Sequence, residues 1–210
     1  MTAYVIAMDN EAACVIDNMT DVLESVEYGR RVVSGKLNGV RTLVVVSGVG
    51  KANAAAATQF AIQSGADEIR NVGVCGGFEP QMRIGDLYEV DRAVQYDFDL
   101  AQLNGTEVGT LNERATPHIP LATDGAHPAK TLATGDHFND SETDYALITK
   151  ELGASLRDME GAAIAQVCER AGVPCRSLKC VTNVLGSGAT AQYAENLKRC
   201  LNILTAALAD

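Results

Sequence analysis

Two glutamates stand where the pattern passes from strand to helix, and their chemistry is the first question the chain poses. In AMDNEA, Ala7 to Ala12, Glu11 falls in the first turn of a helix. Taken alone it complements the helix dipole there, an effect of about 0.3–1 kcal/mol. In RDMEGAAIAQVCERAG, Arg157 to Gly172, counting by threes and fours from Glu160 gives Ile164, Val167 and Ala171, so the carboxylate shares the apolar stripe. A buried carboxylate must be paired or hydrogen-bonded, or it costs several kcal/mol. Glu160 has two candidate partners: the free backbone N–H groups of its own helix start, or the hydroxyl of a substrate.

Two glycine-rich stretches accompany them. SGVGKANAA tempts comparison with a phosphate-binding loop, but Lys51 is followed by Ala52 and the glycine spacing is wrong for G-x-x-x-x-G-K-[ST]. A tight strand-to-helix turn fits better. NVGVCGGF places Gly73, Gly76 and Gly77 within five positions, allowing the backbone to approach a ligand closely or simply to turn.

The elements that would position these residues alternate. YVIAM reads as a buried strand, followed by a helix from about Asn10 to Met19. RRVVSGKLNGVRTLVVVSG has a Leu-Asn-Gly turn between two β-branched runs, a strong hairpin signal. GKANAAAATQFAIQSG reads as an Ala-rich helix ended by Gly65. ADEIRNVGVCGG and IGDLYEVDRAVQ follow as strands. The stretch from Asp97 to about Lys130 is weakly patterned and holds three of the five prolines, so it reads as a long functional loop. Then come strand TLATGD, helix SETDYALITKELG, strand ASLRDM, helix EGAAIAQVCERAG, strand PCRSLKCVTN and a last helix from about Thr190 to Leu208. Without an internal repeat or linker, this predicts one α/β domain over residues 1–210. The expected architecture is a three-layer α/β/α sandwich around a mixed, largely parallel sheet, with ligands gathering at strand ends.

Composition narrows the partners. The net charge of −10, from 27 acidic and 17 basic residues, disfavours nucleic acid and anionic membrane surfaces, so a small molecule is the expected partner. No stretch approaches the roughly 20 apolar residues of a membrane span. MTAYVIAMDNEAAC lacks the positive start of a signal peptide, which predicts a cytoplasmic protein. The six cysteines form no C-x-x-C pair and the three histidines have no zinc-site spacing, so buried thiols are expected and neither metal nor cofactor.

AMDNEA, SGVGKANAA, NVGVCGG, GDHF, RDMEGAAIAQVC and KCVTNV, in this order, resemble the 5'-methylthioadenosine/S-adenosylhomocysteine nucleosidases. These belong to the wider purine nucleoside phosphorylase and hydrolase superfamily, and the likeness runs from about Ala3 to the last helix. It implies a nucleoside phosphorylase-like fold, hydrolysis of the bond between ribose and purine, and a homodimer in which Asp97 to Lys130 helps close the partner's sugar pocket. Glu11 matches the glutamate that activates water, and Glu160, beside Met159, the one that binds the ribose hydroxyls. Phe138 matches the ring that stacks on the purine, with the Asn139 backbone beside it. Asn183 stands where the family has an aspartate engaging the purine N7, and Tyr193 lies near an aromatic residue lining the sugar end. The residue types suit the reaction, because cleavage builds positive charge on the sugar and negative charge on the departing base.

Three departures fall around that site. Val74-Cys75 replaces a usual Ser-Ala whose serine helps hold the attacking water, Lys179 replaces an arginine, and Asn183 replaces the aspartate. Asn183 has a fixed amide, so the base is either adenine or a 6-oxopurine. Two other functions compete. A phosphorylase of this fold would carry Gly-Asp-Pro-x-Arg after the first strand to clamp phosphate, where this chain has Met8-Asp9-Asn10-Glu11. A non-catalytic nucleoside-binding relative is kept in view by Val74 and Lys179.

Overall fold

The computed structural model describes residues 1–139, 141–184 and 188–209. Strand β1 (Thr2–Ile6) lies parallel to and between β4 (Val40–Val46) and β5 (Glu68–Gly77). Its alternate residues serve opposite faces of the sheet. Tyr4 and Ile6 pack with Ala12 and Val15 of α1 (Asp9–Ile16) and with Cys200 and Leu204 of α6 (Ala189–Ala209). Ala3 and Val5 pack with Ala54, Ala57 and Ala61 of α2 (Lys51–Gln63) and with Ile164 and Cys168 of α5 (Gly161–Ala171). Helices therefore cover both faces, which is why this strand is apolar throughout rather than alternating.

The sheet is mixed. β2 (Met19–Glu27), β3 (Arg30–Leu37) and β4 form an antiparallel meander. Asn38 and Gly39, at φ 49° and 78°, make the tight turn that the Asn-Gly pair predicts. On the other side, β10 (Cys175–Val184) runs parallel to β5 and antiparallel to β6 (Leu87–Gln95). β6 pairs β8 (Ala129–Thr134), β8 pairs β9 (Leu156–Asp158), and β9 returns to β5. The path β5–β10–β6–β8–β9–β5 thus closes on itself. Closure is a detail beyond the expected mixed-sheet sandwich, and parallel and antiparallel pairings are equally common among the described residues. Its cause is β10, which pairs along both edges.

The remaining elements are short. Between residues 97 and 128 the chain makes only α3 (Ala101–Asn104) and β7 (Ile119–Pro120), in keeping with the loop read from sequence. α4 (Glu142–Ala146) continues into one π-helical turn, Leu147–Glu151. All six cysteines are unpaired and buried. Among the described residues, no helix is long and apolar enough to cross a membrane.

Candidate active site

Glu11 points into the protein from the first turn of its helix. It is 4% exposed, and its Oε1 accepts the Val74 N–H of β5 at 2.9 Å. Gly73 makes room for it: a Cβ on Gly73 would sit 2.6 Å from that oxygen. Burial pushes the Glu11 carboxyl above its usual range, with the Val74 N–H and the Lys179 charge acting in opposition. This is the environment of a base, which a dipole-complementing glutamate on a helix surface would not need.

Glu160 behaves similarly. It is the residue before α5, yet its side chain makes no capping bond there. Instead Oε1 accepts the N–H of Gly50 at 2.8 Å, across 110 positions of sequence. The turn carrying Gly50 is pinned from outside, because the Lys51 N–H donates to Asp136 at 2.8 Å and its ammonium binds Asp97 at 2.5 Å. Gly50 itself, at φ 98°, occupies backbone space that favours glycine.

Behind the two glutamates lies a buried ion pair. Lys179 of β10 is 2% exposed and its Nζ is 2.9 Å from Asp158 Oδ2. Asp158 also accepts the Thr134 hydroxyl at 2.6 Å and the Gly161 N–H at 2.9 Å. Burial alone would favour the neutral amine, but Asp158, Glu160 and Glu11 hold Lys179 protonated and raise its pKa. A lone ammonium beside three carboxylates leaves net negative charge in a dry place. Consistent with this, burial first and Asp158 second push Glu160 up to about 7.

That shift fixes a sign. A carboxyl whose folded pKa exceeds its unfolded one binds its proton more tightly when folded. Glu160 therefore contributes stability fully below about 4.5 and loses it as pH rises through about 7, a change of about 3 kcal/mol. Glu160→Gln removes the titration. Urea midpoints at pH 5 and pH 7.5 are expected to fall with pH more in the parent than in this variant; parallel profiles would contradict the assignment.

A cavity of about 750 Å³ is lined by Gly76, Phe78, Phe138, Asn139, Met159 and Asn183 among others. Phe138 is 52% exposed and meets the Tyr193 ring edge-on, with centroids 5.6 Å apart. The Tyr193 hydroxyl reaches Met8 Sδ at 3.6 Å, so it joins the Glu11 end to the aromatic wall. Asn183 sits on β10 just after a register shift, with its Oδ1 3.1 Å from the Thr182 hydroxyl. Asn139 is held by Arg157, whose guanidinium donates to its carbonyl at 3.1 Å and to its Oδ1 at 3.0 Å.

Of the sequence candidates, Phe138, Asn139, Met159 and Asn183 line this cavity. Glu11 and Glu160 are buried and are not among its lining residues; the Lys179 charge acts on both. Val74 and Lys179, also expected around the substrate, are not among the residues lining the cavity. Val74 offers its backbone N–H to Glu11 while its side chain packs against the core with Ile6 and Val72. Lys179 is a counter-ion behind the wall. Sequence reading missed Asp158, Thr182, Phe78 and Arg157. Asp158 alone carried a signal, two residues before Glu160 in RDME.

Sequence comparison matches residues 2–210 to the Phosphorylase superfamily. A 5'-methylthioadenosine/S-adenosylhomocysteine nucleosidase of Marinomonas sp. (strain MWYL1) is 31% identical over 209 residues, covering 91% of this chain and 89% of the relative. Among solved structures, an Asp-to-Asn mutant of the Helicobacter pylori MTAN, with 5'-methylthioadenosine in its active site, superposes with a TM-score of 0.90 at 25% identity, covering 98% of this chain and 94% of that one. The futalosine hydrolase of Helicobacter pylori shares the fold, with a TM-score of 0.91 at 23% identity and the same coverage.

Proposed function

The chain belongs to the Phosphorylase superfamily and, within it, to the 5'-methylthioadenosine/S-adenosylhomocysteine nucleosidase family, and from that premise we propose that it hydrolyses the N-glycosidic bond of purine nucleosides. The observation that carries this is the pair Glu11 and Glu160. Both are buried, both are anchored by a backbone N–H from a distant segment, and burial raises both in pKa.

The reaction follows from the charges. As the bond between the sugar C1' and the purine N9 lengthens, positive charge grows on the ribose and its electron pair leaves with the base. Buried carboxylates stabilise that cation far better than water-exposed ones. Glu11, ionised, takes a proton from the attacking water, and its raised pKa makes it a stronger base. Glu160 accepts from the ribose hydroxyls, which supply the partner its buried oxygens need. Phe138 stacks on the purine, and the Asn183 amide donates to N7 as negative charge collects there. Tyr193 and Met8 border the 5' end.

Incubation with 5'-methylthioadenosine and with inosine in phosphate-free buffer tests the reading. Free base is expected from at least one; none from either would leave a nucleoside-binding protein without the activity. The proposal extends to a cytoplasmic homodimer, with the segment from Asp97 to Lys130 closing the partner's site. Leu103 in that segment is 79% exposed, an apolar side chain that a partner would cover. Light scattering should give twice the chain mass of 22.2 kDa, and a monomer at working concentration would remove the dimer.

A further inference from the structure

Phe138 has to be in place before a base can stack on it, and its own side chain does little to fix it. It stands 52% exposed in an irregular stretch between β8 and α4, where its ring meets Tyr193 edge-on. A buried ring is fixed by close packing on all sides; a half-exposed one takes its position from the backbone that carries it. That backbone is held by a single side chain. Arg157 donates to the His137 carbonyl at 2.7 Å and to the Asn139 carbonyl at 3.1 Å, one on either side of Phe138. A third donation reaches Asn139 Oδ1 at 3.0 Å.

Arg157 is in turn fixed from other elements. It lies on β9 between Leu156 and Asp158, both buried, and by strand alternation its side chain leaves on the opposite face. Its guanidinium carbon is 5.4 Å from the centroid of the Tyr96 ring, a cation–π contact on a side chain only 2% exposed. Gly135 leaves the room that ring needs, since a Cβ there would collide with it. Asp144 of α4 is 3.9 Å from the same guanidinium and accepts the Asn139 side-chain NH₂ at 3.2 Å. A planar guanidinium can lie on an aromatic face and still serve several acceptors with its fork of N–H groups; an ammonium is a point charge and cannot.

Resting on the purine-nucleoside reading above, we propose that Arg157 is a positioning residue: seated on Tyr96, it sets the backbone on both sides of Phe138 and so places the stacking ring before substrate arrives. Stacking is present in the ground state and the transition state alike, so its loss falls on KM and leaves kcat near the parent value. Arg157→Met should raise KM by about 10- to 100-fold, the scale of losing hydrogen bonds to a charged group. Calorimetry should show the same loss in the Kd of free adenine or free hypoxanthine, whichever the parent binds better. Arg157→Lys keeps the charge without the fork and should lose nearly as much; parent KM and Kd in this variant would overturn the proposal. Should Arg157→Met not fold, Arg157→Lys carries the same comparisons. In a Phe138→Ala background either substitution should add little, because the ring it acts through is gone, and additive losses would overturn the proposal. Hydrogen exchange reads the effect without ligand. The Gly135 N–H donates to the Asp158 carbonyl at 3.2 Å and the Asp136 N–H to Asp97 Oδ2 at 3.0 Å, so these amides report opening of the stretch. Relative to β1 amides, both should exchange about 10-fold faster in the Arg157 variants, and unchanged exchange overturns the proposal. Faster exchange in the variants of a parent that neither binds nor cleaves purines would end the purine reading and leave the placement of Phe138 by Arg157 standing.

Discussion

Glu11→Gln lowers kcat by about 10²- to 10⁴-fold, the usual cost of losing a general base. The substitution preserves shape, and the amide oxygen of Gln can still accept the Val74 N–H that holds Glu11 at 2.9 Å. What disappears is basicity. Burial has raised the pKa of this carboxyl, so at neutral pH the parent holds a stronger base than an exposed glutamate would be. The loss corresponds to about 3–5 kcal/mol of barrier. Because the carboxylate acts on water and not on the nucleoside, KM should stay near that of the parent, as for an interaction made only in the transition state. Equal turnover in the two proteins would reduce Glu11 to an anchor between α1 and β5.

Lys179→Met should destabilise the fold by about 3–5 kcal/mol, the range for removing one partner of a buried ion pair. Methionine fills much of the space of the lysine stem, so the loss is chiefly one of charge. Asp158 would keep the Thr134 hydroxyl and the Gly161 N–H but lose its cation at 2.9 Å. Glu160 and Glu11 would lose the charge that lowers their pKa values, so surviving activity should move to higher pH. Denaturant titration reads the first effect. Pairing Lys179→Met with Asp158→Asn removes both charges and should recover most of the loss, which separates an ion-pair effect from a packing one. A single variant as stable as the parent would show that the pair is not the support described.

Much of this arrangement was legible before the structure. The Asn-Gly hairpin, the apolar β1 and the Ala-rich α2 follow from local chemistry and lie where sequence places them. β2 went unseen because eight of its nine residues are exposed, so neither face imposes an alternation. Sheet closure was hidden for another reason: β5 and β10 pair Ile69 with Cys175, far apart in sequence, and no local pattern encodes that. The same holds at the site. Glu160 could be singled out because it breaks an apolar stripe, but its partner Gly50 is supplied from a different strand end. Lys179, noted in the sequence as a departure around the site, is buried with its ammonium on Asp158, a pairing no local pattern encodes.

The central claim is that water, activated by Glu11, is the nucleophile. The most direct measurement is the identity of the sugar released in a single turnover, with and without phosphate at tens of millimolar. The account predicts a free reducing sugar in both cases, at the same rate, and no sugar 1-phosphate. Release of base only when phosphate is present, or a sugar phosphate among the products, would contradict it.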